Sequence, residues 1–126
     1  MMKKLNQRGT SALEFCLVAP PLFILMFTIF DLGRYAITTQ SLRTLANAGA
    51  REVMLSYNPT SQTYTGCTGN LLPAIAAKNL VPPFLTGLSP TLVAGGLTVT
   101  ASSNFTMLYF PMSPPSVSTP IPFCGP

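Results

Sequence analysis

The sequence predicts an α+β chain in which one long N-terminal helix packs on a small antiparallel sheet. Three observations predict it. Sixteen uncharged, almost wholly apolar residues run from Phe15 through Phe30, and a stripe at helical spacing continues towards Tyr57. Between Leu97 and Phe110 the pattern changes to strict alternation, which is the signature of a strand with one buried face. Composition sets the class. Of 126 residues 48% are hydrophobic and only 8% are charged, against roughly 25% charged in an ordinary soluble domain.

The net charge of +4 belongs to the N-terminal tip. Lys3, Lys4 and Arg8 lie there, whereas Arg34, Arg43, Arg51 and Lys78 nearly balance the three acids, Glu14, Asp31 and Glu52. No basic stripe is available to track phosphates, which argues against nucleic acid. Histidine is absent, so a histidine triad, a histidine general base and a histidine-ligated metal are impossible. The expectation is a protein that is not an enzyme, with no catalytic residues, metal, cofactor or small-molecule substrate.

The run Phe15–Phe30 rises about 24 Å as a helix, and Ala12, Leu13, Leu32 and Gly33 bring it close to a ~30 Å hydrocarbon core. The basic tip before it places the N-terminus on the cytoplasmic side by the positive-inside rule. Three readings of this membrane-inserted segment compete. A cleaved secretory signal needs a small-x-small site soon after the apolar run, but Ala46-Asn47-Ala48 and Ala48-Gly49-Ala50 come much later. A plain transmembrane anchor is the second. The third is a leader cut on the cytoplasmic side of a helix that is then retained. Glu14 favours the third, because an ionised carboxylate near the head of a membrane helix costs about 3 kcal/mol unless it finds a partner. Ser11-x-x-Glu14 also has capping-box spacing, a local explanation compatible with the functional one.

The stretch Gln7-Arg8-Gly9-Thr10-Ser11-Ala12-Leu13-Glu14-Phe15-Cys16-Leu17-Val18-Ala19-Pro20 resembles the N-terminal motif of TadE-like pilus assembly proteins, minor pseudopilins of the tight-adherence (Flp-type) pilus. The resemblance implies cleavage between Gly9 and Thr10 by an inner-membrane prepilin peptidase, with Glu14 and Phe15 in its recognition site. Glu14 would become the fifth residue of the mature chain, and the new Thr10 α-amine of a neighbouring subunit its counter-ion. Implied partners are the inner membrane, the peptidase, and other pilin or pseudopilin subunits with their secretion machinery. The implied location is the bacterial inner membrane, crossed once, with the C-terminal part in the periplasm or on an extracellular pilus. Two departures stand out. Cys16 occupies a position where alanine is usual, and Pro21 adds a second proline that should kink or loosen the helix.

Four segments follow: a basic leader over 1–9, a transmembrane helix over 10–33, a periplasmic helix extension over 34–57 and a small domain over 58–126. Leu32, Tyr35, Thr39, Leu42, Ala46, Gly49 and Val53 form one face of the extension, opposite Arg34, Gln40, Arg43, Asn47 and Arg51. Asp31 and Arg34 are spaced for an i,i+3 ion pair, and the helix should stop near Asn58-Pro59. A helix of about 70 Å, half in the membrane and half outside it, has the plan of a pilin stalk.

In the small domain, Leu71–Leu80 can form one short helix with Pro73 in its first turn. Thr91–Ala94 and the strand from Leu97 can form a hairpin around Gly95-Gly96. Leu97, Val99, Ala101, Phe105, Met107 and Tyr109 fall on one strand face. The prolines between Pro111 and Pro126 should preclude regular helix or a central strand. Such a core is marginal alone. A Cys67–Cys124 disulfide, formed in an oxidising periplasm, would supply about 4 kcal/mol on the chain-entropy view; two free thiols are the alternative. Cys16 reads as a small apolar residue in the membrane. Asn104-Phe105-Thr106 has glycosylation spacing but an ill-fitting context.

The function expected is a membrane-anchored, minor pilin-like subunit processed after Gly9. The alternative is an uncleaved single-pass scaffold of the pilus secretion machine.

Overall fold

A computed structural model describes residues 2–109 and 111–124, with side chains from residue 9 onward. The basic side chains Lys3, Lys4 and Arg8, on which the orientation expectation rests, lie outside what is described.

Helix α1 spans Met2–Leu55, 54 residues, or ~80 Å at about 1.5 Å per residue. It starts earlier than the sequence suggested. Ser11 and Glu14 therefore sit inside a helix rather than at its beginning, and the capping-box spacing marks no helix start in the uncut chain. The helix is also unbroken through Pro20 and Pro21. A proline lacks the N–H that would bond four residues back, so the carbonyls of Cys16 and Leu17 lose their regular partners. The flanking turns keep their helical form all the same. Further on, Thr28, Thr38, Thr39 and Thr44 each turn their hydroxyl onto the carbonyl four residues earlier, which satisfies a β-branched polar side chain without leaving the helix.

The helix ends at Leu55. Ser56 closes it by donating its hydroxyl to the Val53 carbonyl at 2.6 Å, and that hydroxyl accepts the Gly66 N–H at 3.0 Å. Tyr57 and Asn58 then form β1 (Tyr57–Asn58), paired antiparallel with β2 (Thr63–Tyr64). The Asn58 side chain accepts the Thr60 N–H at 2.9 Å, the turn-forming bond its position before Pro59 favours.

Beyond this ribbon the chain builds a four-stranded antiparallel sheet in the order β3-β4-β5-β6: Thr68–Asn70, Thr91–Gly95, Thr98–Ser102 and Ser116–Pro120. The expected hairpin is present. β4 and β5 pair Leu92 with Ala101 and Ala94 with Val99, and Gly96 takes a φ of +92° at the turn, where an L side chain would be strained. The short helix α2 (Leu72–Ala77) lies inside the expected stretch, with proline in its first turn. A 3-10 turn follows over Pro83–Leu88.

Two expectations about the last third need correction. The strand expected from Leu97 to Phe110 stops at Ser102, and Leu97 and Tyr109 are exposed instead of facing the core. The chain from Ser103 leaves the sheet and runs back along α1. The free side of β5 is paired by the proline-rich tail, whose Ser116–Pro120 lies antiparallel to Thr98–Ser102. The tail does avoid a central position: β6 is an edge strand, and Pro120 stands at its end, where a missing N–H does least harm.

The core lies between the sheet and the outer half of α1. Leu42, Leu45, Ala46, Ala50 and Val53 meet Leu92, Ala94, Val99, Ala101 and Ile121. The stripe is rotated from the expected one. Leu32 is exposed, while Thr38 and Leu45 are fully buried. Gly49 marks the closest approach. A Cβ there would stand 3.0 Å from a Leu92 methyl and 3.0 Å from a Val99 methyl, so the sheet comes near only because this residue has no side chain.

Cys67 and Cys124 form a disulfide, 57 positions apart, with Cα atoms separated by 5.7 Å. The Tyr64 ring packs at a tilt against Phe123 at 4.8 Å and against Tyr57 at 5.2 Å, so an aromatic row joins the end of α1 to the last turn beside this bridge. Cys67→Ser should lower the unfolding free energy of the detergent-solubilised chain by about 4 kcal/mol, read by urea titration with and without reductant. A midpoint equal to that of the unsubstituted protein would deny the bridge its stabilising role.

Candidate membrane and assembly interface

Within α1, the segment Gly9–Leu55 contains an 18-residue window of mean hydropathy 2.1, none of it buried inside the protein. A core helix of a water-soluble domain would cover such a window with its own chain. Here Leu13, Phe15, Leu17, Val18, Leu22, Ile24, Leu25 and Ile29 all face outward, with only other α1 side chains beside them. An apolar surface of this size marks an interface with lipid or with other protein. The segment is a candidate membrane span.

The site residues expected from the sequence fall on two successive turns at its head. Thr10 and Glu14 are four residues apart, hence on one face, and both are exposed; Phe15 projects beside them. Gly9 has helical backbone, and a Cβ added there would meet nothing within 4 Å. Packing therefore does not require glycine at this position. What glycine does there is weaken the helix, by about 1 kcal/mol relative to alanine. Cys67 and Cys124, the other pair singled out, lie far along the chain in the domain and bear on stability instead.

At the opposite end of the apolar run sits a residue whose role the spacing pattern misread. Asp31 is 3% exposed, and it does not pair with Arg34. Its two carboxylate oxygens accept backbone N–H groups from the returning segment, Leu108 at 3.3 Å and Tyr109 at 3.0 Å. Two N–H donors on a carboxylate satisfy a charge that burial would otherwise penalise heavily. Arg34 instead lays its guanidinium over the Phe105 ring, 5.3 Å from the centroid, and Tyr35 packs on the same ring at 6.3 Å. One turn below Asp31, the Tyr109 ring stacks on Phe27 at 5.4 Å. The returning segment is thus pinned to α1 over three turns, by a ring, a carboxylate and a second ring.

Elsewhere polar contacts are sparse. Among the described residues, the ion pair is Lys78–Glu52 at 2.6 Å, on the surface, and no group of three or more His, Cys, Asp or Glu could hold a metal. Beside that pair, Asn47, Arg51, Leu55 and Leu80 line a shallow hollow of about 370 Å³.

The apolar helix with a lone carboxylate at its head is also where a relation to known proteins resides. Residues 9–51 match the TadE-like protein family. The match opens on Gly9, covers about a third of the chain and ends inside α1, so the likeness is to the helix and not to the sheet domain. No curated protein and no solved structure matches the chain.

Asp31 was visible in the sequence as an acid ending an apolar run and spaced to pair with Arg34. Its acceptors are filled from 77 and 78 positions away, which no local spacing encodes. Asp31→Asn keeps one acceptor oxygen and turns an NH2 group towards the second N–H, a loss of about 1–3 kcal/mol. Amide exchange at Leu108 and Tyr109 should accelerate about tenfold to a hundredfold, with Val99 unaffected. Unchanged exchange at Leu108 and Tyr109 would show that the carboxylate does not hold the segment.

Proposed function

We propose that the protein is a minor pilin-like (pseudopilin) subunit, structural rather than catalytic. It is anchored in the inner membrane by residues 10–33 with its N-terminus in the cytoplasm and its sheet domain outside. The observation that carries this reading is the unburied apolar rod headed by Glu14 within a TadE-like match that begins at Gly9. Prepilin peptidase removes residues 1–9, with Glu14 and Phe15 in its recognition surface. The Thr10 α-amine released by the cut is cationic, and it pairs with Glu14 of an adjacent subunit. In the low dielectric of the bilayer that pairing is far stronger than at a protein surface. It fixes the axial register between neighbouring rods, while pilin subunits and the secretion machinery supply the partners and the energy. The nearly chargeless outer domain suits burial against neighbouring subunits, since charged side chains are depleted at interface cores.

One observation favours a second reading. The Gly9–Thr10 bond lies within continuous helix, as expected of an uncleaved single-pass scaffold of the secretion machine. Mass spectrometry of the protein extracted from its native membrane decides between them. A mature chain starting at Thr10 is the expected result, and an intact leader would establish the scaffold. In the processed protein, Glu14→Ala should leave membrane insertion intact and reduce incorporation into pilus fractions to a small residue of the normal level. Full incorporation of that variant would remove Glu14 from the assembly mechanism.

A further inference from the structure

We propose that Leu108 and Tyr109, at the end of the segment that returns along α1, form a lipid-contacting foot, seating the sheet domain on the outer leaflet of the same bilayer that α1 crosses. This inference rests on the membrane reading above.

Depth along α1 is the first argument. Tyr109 stacks on Phe27, which lies inside the apolar run and four residues before Asp31. Four helical residues amount to about 6 Å. If the hydrocarbon ends near Asp31, the first charged residue after the apolar run, the Tyr109 ring reaches about 5–10 Å into the headgroup and acyl boundary, the depth at which interfacial segments sit. Exposure is the second argument. Leu108 is 73% exposed and Tyr109 52% exposed, although the backbone of both is fixed to Asp31. A large apolar side chain held rigidly in the open, beside an apolar rod, extends the rod's own lipid-facing surface.

Charge gives the third argument. No charged side chain occurs in the sequence after Lys78, so no ionised group in this segment opposes its lying at the boundary of an apolar phase. Asp31 is the one carboxylate at this level, and its oxygens are already occupied by N–H donors, so it too can sit at the boundary. Arg34 lies one turn further out with an exposed side chain on the Phe105 face. There its guanidinium stands at headgroup height, suited to a lipid phosphate. A tyrosine with its apolar ring inward, and a cation just above it, is the usual composition of a membrane boundary. The domain is therefore seated directly on the bilayer and not held away from it on a bare stalk. Extraction into a filament must then withdraw the foot together with the rod.

The sequence contains no tryptophan, so a single introduced one reports its own surroundings. The full chain is placed in phosphatidylcholine nanodiscs brominated at shallow or at deep acyl positions. Three exposed sites are compared: Leu108→Trp in the foot, Ile24→Trp in the rod and Val93→Trp on the outward sheet face. The proposal expects Leu108→Trp to lose emission most to the shallow bromines, Ile24→Trp most to the deep ones, and Val93→Trp to keep its emission. Quenching of Ile24→Trp with Leu108→Trp behaving like Val93→Trp would overturn the foot and leave the membrane span standing. Absence of quenching at Ile24 would overturn both. A Leu108→Trp shielded from aqueous iodide yet untouched by bromine would assign the surface to a second copy of the chain, and the lipid contact would be wrong.

Discussion

The first half of α1 offers a long apolar surface that, among the described residues, the rest of the chain leaves largely open, and one helix must consequently satisfy two different surroundings. Beyond Asp31 the helix is the floor of a small protein core, and before Asp31 it is mostly exposed, with the Tyr109 ring laid against Phe27. The helical backbone suits both, because its hydrogen bonds are met internally and require nothing of the medium. Thr28, Thr38, Thr39 and Thr44 follow the same rule with their side chains. Asp31 stands at the change of surroundings, and its burial is tolerable only because the chain returns to supply two donors.

The sheet domain is arranged to make much of a little core. Gly49 lets the sheet approach α1 closely, and the Cys67–Cys124 bridge ties the tail to the chain's first loop. Drawing the tail in also delivers the edge strand β6, which would otherwise be a proline-rich end with little reason to order. The aromatic row from Tyr57 through Tyr64 to Phe123 lies beside the bridge, so the cross-link and the apolar contacts reinforce each other.

Much of this was legible locally. The rod, its glutamate, the hairpin at Gly95-Gly96 and the proline-initiated short helix each announce themselves within a few residues, through spacing and turn chemistry. The pairing of Cys67 with Cys124 could be argued because both cysteines fall beyond the apolar run. Other features could not be read, because distant parts of the chain decide them. Alternation continued past Ser102, but Phe105 found a better place against Tyr35 and Arg34 than in the ladder, and the strand ended. The prolines of the tail argued against a central strand, and Ser116–Pro120 is indeed an edge strand, but nothing local said that it would pair with β5. Asp31 and Arg34 had the spacing of an ion pair, and each found a partner elsewhere. In the apolar run, Pro20 and Pro21 signalled a disruption that the flanking turns absorb. The site residues at the rod's head lie on two successive turns of α1, as their spacing of four and five residues requires.

The central claim is that α1 exchanges lipid for protein at Asp31. Ile24 and Met54 provide a direct test, being 66% and 53% exposed respectively, so that the fold by itself shields neither. With Cys16 replaced by serine, single thiols at Ile24→Cys and Met54→Cys can be treated in sealed membranes with a water-soluble maleimide that labels from outside the cytoplasm. The account predicts labelling at position 54 and none at position 24 until the membrane is dissolved. Equal labelling at both positions in intact membranes would contradict it.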